Sequence, residues 1–420
     1  MNALTEIRIK EHDDISTYIS VKDLEHFRKQ TLNNKELKYL NVFNPSTEER
    51  YYVGACWLEE GIRPLIVEPK FRNVDYLAMF QYCISSELSE VINELPNLYH
   101  VAVEQQPIPY VSNNVNCILL VVQHFVSVVH RITQRGLLKR YVTTNQELQS
   151  KIKGKINLSL YSNNIIRGKS QYVPCQFQQY TEDCPQNQYL KQAHSLCLDY
   201  LNQNYIGSNT LINQYQRCGQ IFSTISDTKN LSPPKTKSTQ FFKEYETALR
   251  LAEIIIRNHE WSFSNKTNKV GTLPFYINTP KLFELYVYCK LYELYGNNLK
   301  YQFATRKDRP DFLFTSNSST GFIGDAKYKP YGEKTPTENE GLSNRNISGD
   351  DIRQLAGYAR NKKIRKELDT PNDHFTLDCL IIYPDEHADD TFTINQLLQI
   401  PIDGYVHLYK KGIKLPTIQQ

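Results

Sequence analysis

The sequence lacks an uninterrupted apolar run long enough to cross a membrane. A bilayer requires about 20 consecutive apolar residues, and the most apolar stretch, residues 117–130, is interrupted by Gln123 and His124. We therefore predict a buried core helix there and no membrane association. The first residues, MNALTEIRIKEHDD, also lack the apolar segment of a secretory signal peptide, so no such signal is expected.

The nine cysteines are odd in number, scattered, and contain no C-x-x-C pair. This pattern favours reduced thiols and a cytoplasmic location. The charge has no dominant sign either, since 49 basic residues face 45 acidic ones and the formal net charge is +4. That balance neither requires nor excludes a polyanionic partner such as DNA.

Internal repeats and long low-complexity segments are also absent, while 420 residues exceed one ordinary core and predict two or three domains. We predict an α+β multidomain protein. Hydrophobic periodicity divides it into a β-rich N-terminal domain (1–112), a helical middle domain (113–268) and a C-terminal α/β domain (269–420).

The C-terminal segment has the clearest boundary signals. A helix is predicted over residues 279–296, with Thr279 as its N-cap, Pro280 at its first position and Gly296 at its end. A hairpin over 309–331, a helix over 350–368 and a buried strand over 377–384 follow. This α-β-β-α-β order predicts helices packed on a mixed sheet.

Two acidic residues of the hairpin stand in apolar surroundings. Asp311 precedes the run Phe312 to Phe314, and Asp325 ends the segment GFIG. If the chain turns through residues 316–320, antiparallel pairing sets the two carboxylates opposite each other, with Cβ atoms about 4.5–5.5 Å apart. Buried like charges are unfavourable, and a divalent cation between them would reverse that effect. Oxygen ligands at this spacing suit Mg²⁺ or Mn²⁺.

Strand alternation predicts that Asp325 and Lys327 point to the same face. A lysine beside a cation-bound water can orient the water and stabilise charge developing on a phosphate, so this set favours phosphodiester hydrolysis. In the alternative interpretation, Asp311 and Asp325 flank a turn and form ordinary ion pairs with Arg309 and Lys327.

Other polar residues have two interpretations each. Glu284, inside the apolar run LFELYVY, is either a third metal ligand or a solvated helix position. Gln354 and Tyr358, spaced i, i+4, form either an accessory pair or the polar edge of a helix. Basic residues either follow a DNA backbone or form solvated faces. The backbone-contact candidates are Arg309, Lys329, Arg360, Lys362 and Lys363.

Several segments together resemble a known family. RPDFLF…GDAKYK resembles the PD-(D/E)xK nuclease core, and QLAGY is similar to the Q-x-x-x-Y motif of RecB-like members. Five further segments are similar, in this order, to segments of the McrC family: YYVGACWLEEG…LIVEPK, RGLLKRYV, IKGKINL, CPQNQYLKQA and LFELYV. That family comprises nuclease subunits of McrBC-like modification-dependent restriction systems, and the likeness extends over most of the chain.

The resemblance implies a restriction-endonuclease-like C-terminal domain with Asp311, Asp325 and Glu284 as Mg²⁺ ligands. Lys327 would be the catalytic lysine, supported by Gln354 and Tyr358. The implied function is that of a Mg²⁺-dependent DNA endonuclease subunit. Its implied partner is an AAA+ GTPase motor of the McrB kind, which docks on the N-terminal domain and carries the modified-base specificity. Two alternatives stay open, a non-catalytic activator of the motor and a stand-alone RecB-like repair nuclease.

Overall fold

The computed structural model contains fourteen strands and ten α-helices among the residues that it describes. Those residues are 6–11, 13, 18, 20, 52–71, 73–108, 117–203, 209–228, 232–234, 243–264, 271–315, 321–329, 349–368, 377–389, 391–394, 397–400 and 407–418.

The strands include the two strands of the predicted hairpin, near residues 312 and 321, and the predicted buried strand near residue 378. In chain order they are β1 (Ile7–Lys10), β2 (Tyr52–Glu59), β3 (Arg63–Glu68), β4 (Tyr99–Val101), β5 (Arg140–Gln149), β6 (Lys155–Ile156), β7 (Tyr172–Thr181), β8 (Phe275–Asn278), β9 (Leu299–Tyr301), β10 (Phe312–Thr315), β11 (Gly321–Ala326), β12 (Asp378–Pro384), β13 (Leu398–Ile400) and β14 (His407–Ile413).

The helices occupy both compact units of the chain. In chain order they are α1 (Tyr76–Ser85), α2 (Ser89–Leu98), α3 (Cys117–Arg135), α4 (Leu158–Ile166), α5 (Pro185–Gln203), α6 (Asn209–Phe222), α7 (Lys243–Ser264), α8 (Thr279–Tyr295), α9 (Gly349–Arg360) and α10 (Lys362–Glu367).

The chain forms two compact units. Unit 1 comprises Met1–Cys117 and Lys269–Gln420, and unit 2 comprises Ile118–Asn268. The first and third predicted segments thus share one unit, and the three-part division of the sequence stays a prediction.

Unit 1 contains a five-stranded sheet in the order β1-β3-β2-β8-β4. Strand β8 follows unit 2 in sequence and pairs antiparallel with β2, where Gly54 lies opposite Tyr276. A Cβ at Gly54 would collide with the backbone of Phe275, so glycine permits this close pairing. Sequence periodicity did not predict β8, because four residues are too few to carry a clear alternation.

The second sheet of unit 1 has the order β13-β14-β12-β11-β10-β9. Strands β11, β12 and β14 are mutually parallel, and β10 pairs antiparallel with both β11 and β9. Apolar residues of β10, β11 and β12 pack with Leu355 and Ile364 of the flanking helices. A mixed α/β architecture is therefore confirmed for this region, and β9, β13 and β14 are additions to the predicted order.

Two helix boundaries differ from their prediction. Asn278, not Thr279, caps α8, because its side chain accepts a hydrogen bond from the Lys281 backbone amide at 3.0 Å. The single helix predicted over 350–368 is divided at Asn361, whose side chain caps α10 by accepting from the Lys363 amide at 2.9 Å. In both places an asparagine oxygen satisfies an otherwise unpaired helix amide.

Unit 2 is helical as predicted but also contains an antiparallel sheet in the order β5-β7-β6. The sheet is an addition to the helical middle region predicted from the sequence, since the polar alternation of β5 does not distinguish a strand from an exposed loop. By length and composition alone α3 could cross a membrane, yet 83% of its most apolar window is buried within the structure. This burial agrees with the predicted core helix.

All nine cysteines lie among the described residues, and each is a free, buried thiol. The structure therefore agrees with the expectation of reduced cysteines. Buried thiols of this kind act as small apolar side chains in the core.

A buried carboxyl group makes the stability of unit 1 dependent on pH. Glu11, which is 2% exposed, accepts hydrogen bonds from the Thr279 hydroxyl and, at 3.2 Å, from the Lys70 amide. Burial raises the pKa of Glu11 from 4.5 to about 7. Because the folded protein binds this proton more tightly, the stability contribution is complete below about pH 4.5 and is lost as the pH rises toward 7.

We expect Glu11→Gln to remove this loss, because the amide can accept from Lys70 and donate to Thr279 without ionising. The variant should gain up to about 3 kcal/mol over the natural protein between pH 5 and 8, at 1.36 kcal/mol per pKa unit. Urea unfolding at both pH values measures the gain, with the exposed Glu59→Gln as control. Equal pH dependence of the natural protein and Glu11→Gln would contradict the assignment.

Candidate active site

The β10–β11 hairpin sets the two candidate aspartates against each other. Phe312 of β10 pairs with Gly324 of β11 in antiparallel register. One more residue of the same register places Asp311 opposite Asp325, as the sequence predicted. The turn residues 316–320 lie outside the described residues.

The end of β11 is held firmly by the neighbouring strand. Asp325 lies beside Ile381 of β12, and the Lys327 amide donates to the Ile382 carbonyl at 2.9 Å. On the hairpin side, a Cβ at Gly324 would lie 3.1 Å from the Phe312 side chain, so glycine leaves room for that ring. The backbone that carries the aspartate and the lysine is thus fixed in the middle of the sheet.

Both carboxyl groups have a raised pKa. Asp325 is only 2% exposed, and burial raises its pKa. The pKa of Asp311 lies well above its ordinary value because of burial, followed by the charges of Asp325 and Glu284. A hydrogen bond from the Ala326 amide to Asp311 Oδ2, at 2.8 Å, opposes this shift. The pair is a concentration of negative charge that favours a positively charged occupant.

Lys327 supplies the nearest positive charge. Its Nζ lies 2.7 Å from Asp325 Oδ2, which confirms the predicted common face. Burial by itself lowers the pKa of the Lys327 ammonium, but the charge of Asp325, a hydrogen bond to it and the charge of Asp351 raise the pKa above its ordinary value. Lys327 is therefore a protonated cation within the site.

Helix α9 holds the other side of the lysine. Gln354 Oε1 accepts from Lys327 Nζ at 2.9 Å, and Gln354 Nε2 donates to the Tyr358 hydroxyl at 2.6 Å. Tyr358 is 8% exposed and packs in the same core as Leu355. The i, i+4 pair is thus a chain of contacts that orients Lys327, and not only the polar edge of a helix.

Glu284 lies near the aspartates but is engaged elsewhere. It projects from α8, and its Oε1 accepts from Lys281 Nζ at 3.1 Å and from Gln302 Nε2 at 2.5 Å. Within the described part of the chain, no group of three or more His, Cys, Asp or Glu side chains is arranged to hold a metal ion. Asp311 and Asp325 are brought together, whereas Glu284 as a third ligand stays a prediction.

Asp351 is a site residue that the sequence analysis missed. It is 5% exposed, and its carboxylate lies 3.6 Å from Lys327 Nζ and 3.2 Å from Lys329 Nζ. An acidic residue in the first turn of a helix ordinarily indicates interaction with the helix dipole. The signal that could have found it is spacing, since Asp351, Gln354 and Tyr358 recur at i, i+3, i+7 on one helix face.

The residue after Lys327 links the site to the N-terminal part of unit 1. Tyr328 is 5% exposed, and its hydroxyl lies 2.6 Å from the Tyr76 hydroxyl of α1. The Tyr328 ring also contacts Phe283 of α8 and Phe71. No sequence spacing could predict a contact between residues 76 and 328.

The five candidates for DNA contact differ in their surroundings. Arg309, Arg360, Lys362 and Lys363 are exposed, and the last three lie at the end of α9 and in α10. Lys329 is less exposed and is ion-paired to Asp351 at 3.2 Å. Four of the five cations are accordingly accessible to a polyanion.

Comparison with known proteins gives a family match and loose structural likenesses. A chain in the refined half-complex from a tetradecameric assembly of Thermococcus gammatolerans McrB AAA+ hexamers with bound McrC has 15% identity and a TM-score of 0.44, covering 98% of this chain and 95% of that chain. A chain in the cryo-EM structure of the Thermococcus gammatolerans McrBC complex has 15% identity and a TM-score of 0.32, covering 68% of this chain and 87% of that chain. No curated protein matches significantly.

The family is defined by a match over most of the sequence. Residues 48–368 match the model of the McrBC 5-methylcytosine restriction system component, and this range contains both aspartates, Lys327 and the Gln354–Tyr358 pair. The chain therefore belongs to the McrBC family of restriction system components.

Proposed function

We propose that this chain is the nuclease subunit of its restriction system and hydrolyses DNA phosphodiester bonds with a divalent cation. One observation carries the proposal: Asp311 and Asp325 are opposed at the end of a buried hairpin, with Lys327 Nζ 2.7 Å from Asp325. The sheet of β9 to β12 with α8 and α9 against it supports a PD-(D/E)xK core.

The two carboxylates fit a hard divalent cation. Burial, followed by the charges of Asp325 and Glu284, raises the pKa of Asp311 well above its usual range. Asp325 Oδ2 is a buried oxygen whose contact with Lys327 Nζ, at 2.7 Å, is an ion pair. Mg²⁺ is commonly held by one or two carboxylates together with substrate phosphates, so this pair suffices without a third protein ligand. Asp311 and Asp325 would hold Mg²⁺ or Mn²⁺, with Glu284 as the candidate third ligand.

The side chains around the pair have distinct roles in this proposal. A divalent cation, when bound, stabilises charge on a phosphate and increases the acidity of water. The Lys327 ammonium orients a water molecule and stabilises the charge that develops on the scissile phosphate. Gln354 holds that ammonium, and Tyr358 fixes the orientation of the Gln354 amide. The catalytic contribution of the chain is therefore preorganised charge rather than a covalent intermediate.

DNA would be held by cations that surround the hairpin end. Arg309 precedes Asp311 in sequence, while Arg360, Lys362 and Lys363 follow Gln354 and Tyr358 in sequence. Contacts of this kind bind phosphates and position the duplex without reading its sequence. We therefore assign no base specificity to these residues.

The proposed partner is an AAA+ GTPase of the McrB kind. Both loosely similar structures are McrBC assemblies, one of which contains McrB AAA+ hexamers with bound McrC. Docking of the partner on the N-terminal part of this chain and GTP-driven translocation complete the proposal.

The test measures cleavage of 5-methylcytosine-containing DNA by the full chain, with and without the AAA+ partner, GTP and Mg²⁺. We expect cleavage only when all are present, and none with EDTA. Stimulated GTP hydrolysis without cleavage would replace the proposal with a non-catalytic activator. Cleavage by the chain alone, without nucleotide, would identify a stand-alone nuclease.

A further inference from the structure

The Lys327 ammonium lies where it would repel a divalent cation bound to Asp325. The ammonium lies 2.7 Å from Asp325 Oδ2, the buried carboxylate oxygen closest to it. A dication bound to the same carboxylate would lie within a few ångströms of this ammonium, and like charges at that distance repel strongly in a buried site. A divalent cation on Asp325 would therefore compete with the Lys327 ammonium for this carboxylate.

A second acceptor lies on the other side of the ammonium. Asp351 Oδ1 is 3.6 Å from Lys327 Nζ and belongs to the regular helix α9. Gln354 Oε1, at 2.9 Å, accepts from the same ammonium and comes from the same helix. Because a lysine ammonium has three donors, it can keep Gln354 while it exchanges Asp325 for Asp351.

We propose that Asp351 is a positioning residue that receives the Lys327 ammonium when a divalent cation binds Asp311 and Asp325. This inference rests on the proposed function of the same site. In the cation-free protein Lys327 is a tethered counter-ion for Asp325, and in the loaded protein Asp351 holds it toward the scissile phosphate.

Lys329 completes the exchange. It lies 3.2 Å from Asp351 Oδ2, but its side chain is 37% exposed, whereas that of Lys327 is 17% exposed. When Lys327 moves to Asp351, Lys329 can return to solvent at little cost. Cation binding would thus release Lys329 for contact with a DNA phosphate.

The test is a double-mutant cycle on cation affinity, without DNA and without turnover. Mn²⁺ binding to the full chain is measured by calorimetry and by the electron paramagnetic resonance of free Mn²⁺. The proteins are the natural chain, Asp351→Asn, Lys327→Met and the double variant. Asp350→Asn is the matched control. It removes the same charge at the neighbouring position, where the Asp350 side chain is 87% exposed.

We expect Asp351→Asn to weaken Mn²⁺ binding about tenfold when Lys327 is present, within the range for coupled neighbouring residues. Lys327→Met should tighten binding, since the competitor is removed, and Asp351→Asn should then weaken it by no more than about threefold. Asp350→Asn should change it by less than about twofold.

Equal losses from Asp351→Asn in both backgrounds would overturn the inference, because Asp351 would then act only through its charge. If Asp351→Asn fails to fold, Lys327→Met still decides, since unchanged or weaker Mn²⁺ binding contradicts the competition. Asp311→Asn separates the two proposals. If Mn²⁺ binding survives Asp311→Asn, the metal site itself is refuted. If Asp311→Asn abolishes Mn²⁺ binding but the effects of Asp351→Asn and Lys327→Met are additive, only the role of Asp351 is refuted.

Discussion

Asp325→Ala is expected to reduce DNA cleavage by more than about 10³-fold, beyond the loss typical of a single electrostatic group. The reason is that Asp325 is both a proposed cation ligand and the buried partner of Lys327 at 2.7 Å. Its removal leaves Asp311 without the opposed carboxylate and the ammonium without its anchor. Single-turnover cleavage in the presence of the AAA+ partner, GTP and Mg²⁺ measures the effect.

Asp311→Asn is expected to abolish cleavage in the same way without harming the fold. The amide oxygen can still accept from the Ala326 amide, and the burial of an ionisable group beside Asp325 and Glu284, which raises the pKa of Asp311, is removed. The unfolding temperature without divalent cation should therefore not decrease. Asp350→Ala, on an exposed side chain, is the control, and binding of the AAA+ partner should be normal in all three. Cleavage at the natural rate by either site variant would refute the assignment.

Lys327→Met is expected to lower the single-turnover cleavage rate by about 10²–10³, the usual loss for one preorganised charge. Methionine preserves much of the aliphatic side chain but cannot stabilise charge on the phosphate. Unlike Asp325→Ala, this change should tighten Mn²⁺ binding, so the two substitutions affect different steps.

The control for Lys327→Met is Lys307→Met, an exposed lysine outside the site. Lys327→Arg should not restore the natural rate, because a planar guanidinium does not reproduce the compact ammonium held by Gln354. A natural cleavage rate in Lys327→Met would show that this ammonium takes no part in the chemistry.

Local pattern was sufficient for the hairpin register and for several element boundaries. Antiparallel pairing has a single register once the turn is located, so the opposition of Asp311 and Asp325 followed from counting residues. Helix α8 is likewise followed directly by Gly296, which has a φ of +52°, a conformation that favours glycine. Its first residue was harder, because Asn278 and Thr279 are both good caps and only the geometry selects between them.

Contacts between distant segments could not be predicted from pattern. Glu284 had two sequence-based interpretations, and the structure adds a third, since its Oε1 is held by Lys281 and by Gln302, which is 18 residues away. Asp351 resembles an ordinary helix-start residue until β11 places Lys327 beside it. In both cases the residue type was visible, while its partner depended on how strands and helices pack.

The sequence by itself determined which residues bear the proposed chemistry and which of them alternate onto one face, because strand and helix periodicity is a local property of the backbone. It also carried the family, through motifs spread over residues 48–368. Only the tertiary structure decided that Asp351 lies within reach of Lys327, that Tyr328 joins Tyr76 of α1, and that β8 completes the N-terminal sheet. These contacts depend on segments far apart in the chain being packed together, and no local periodicity encodes that.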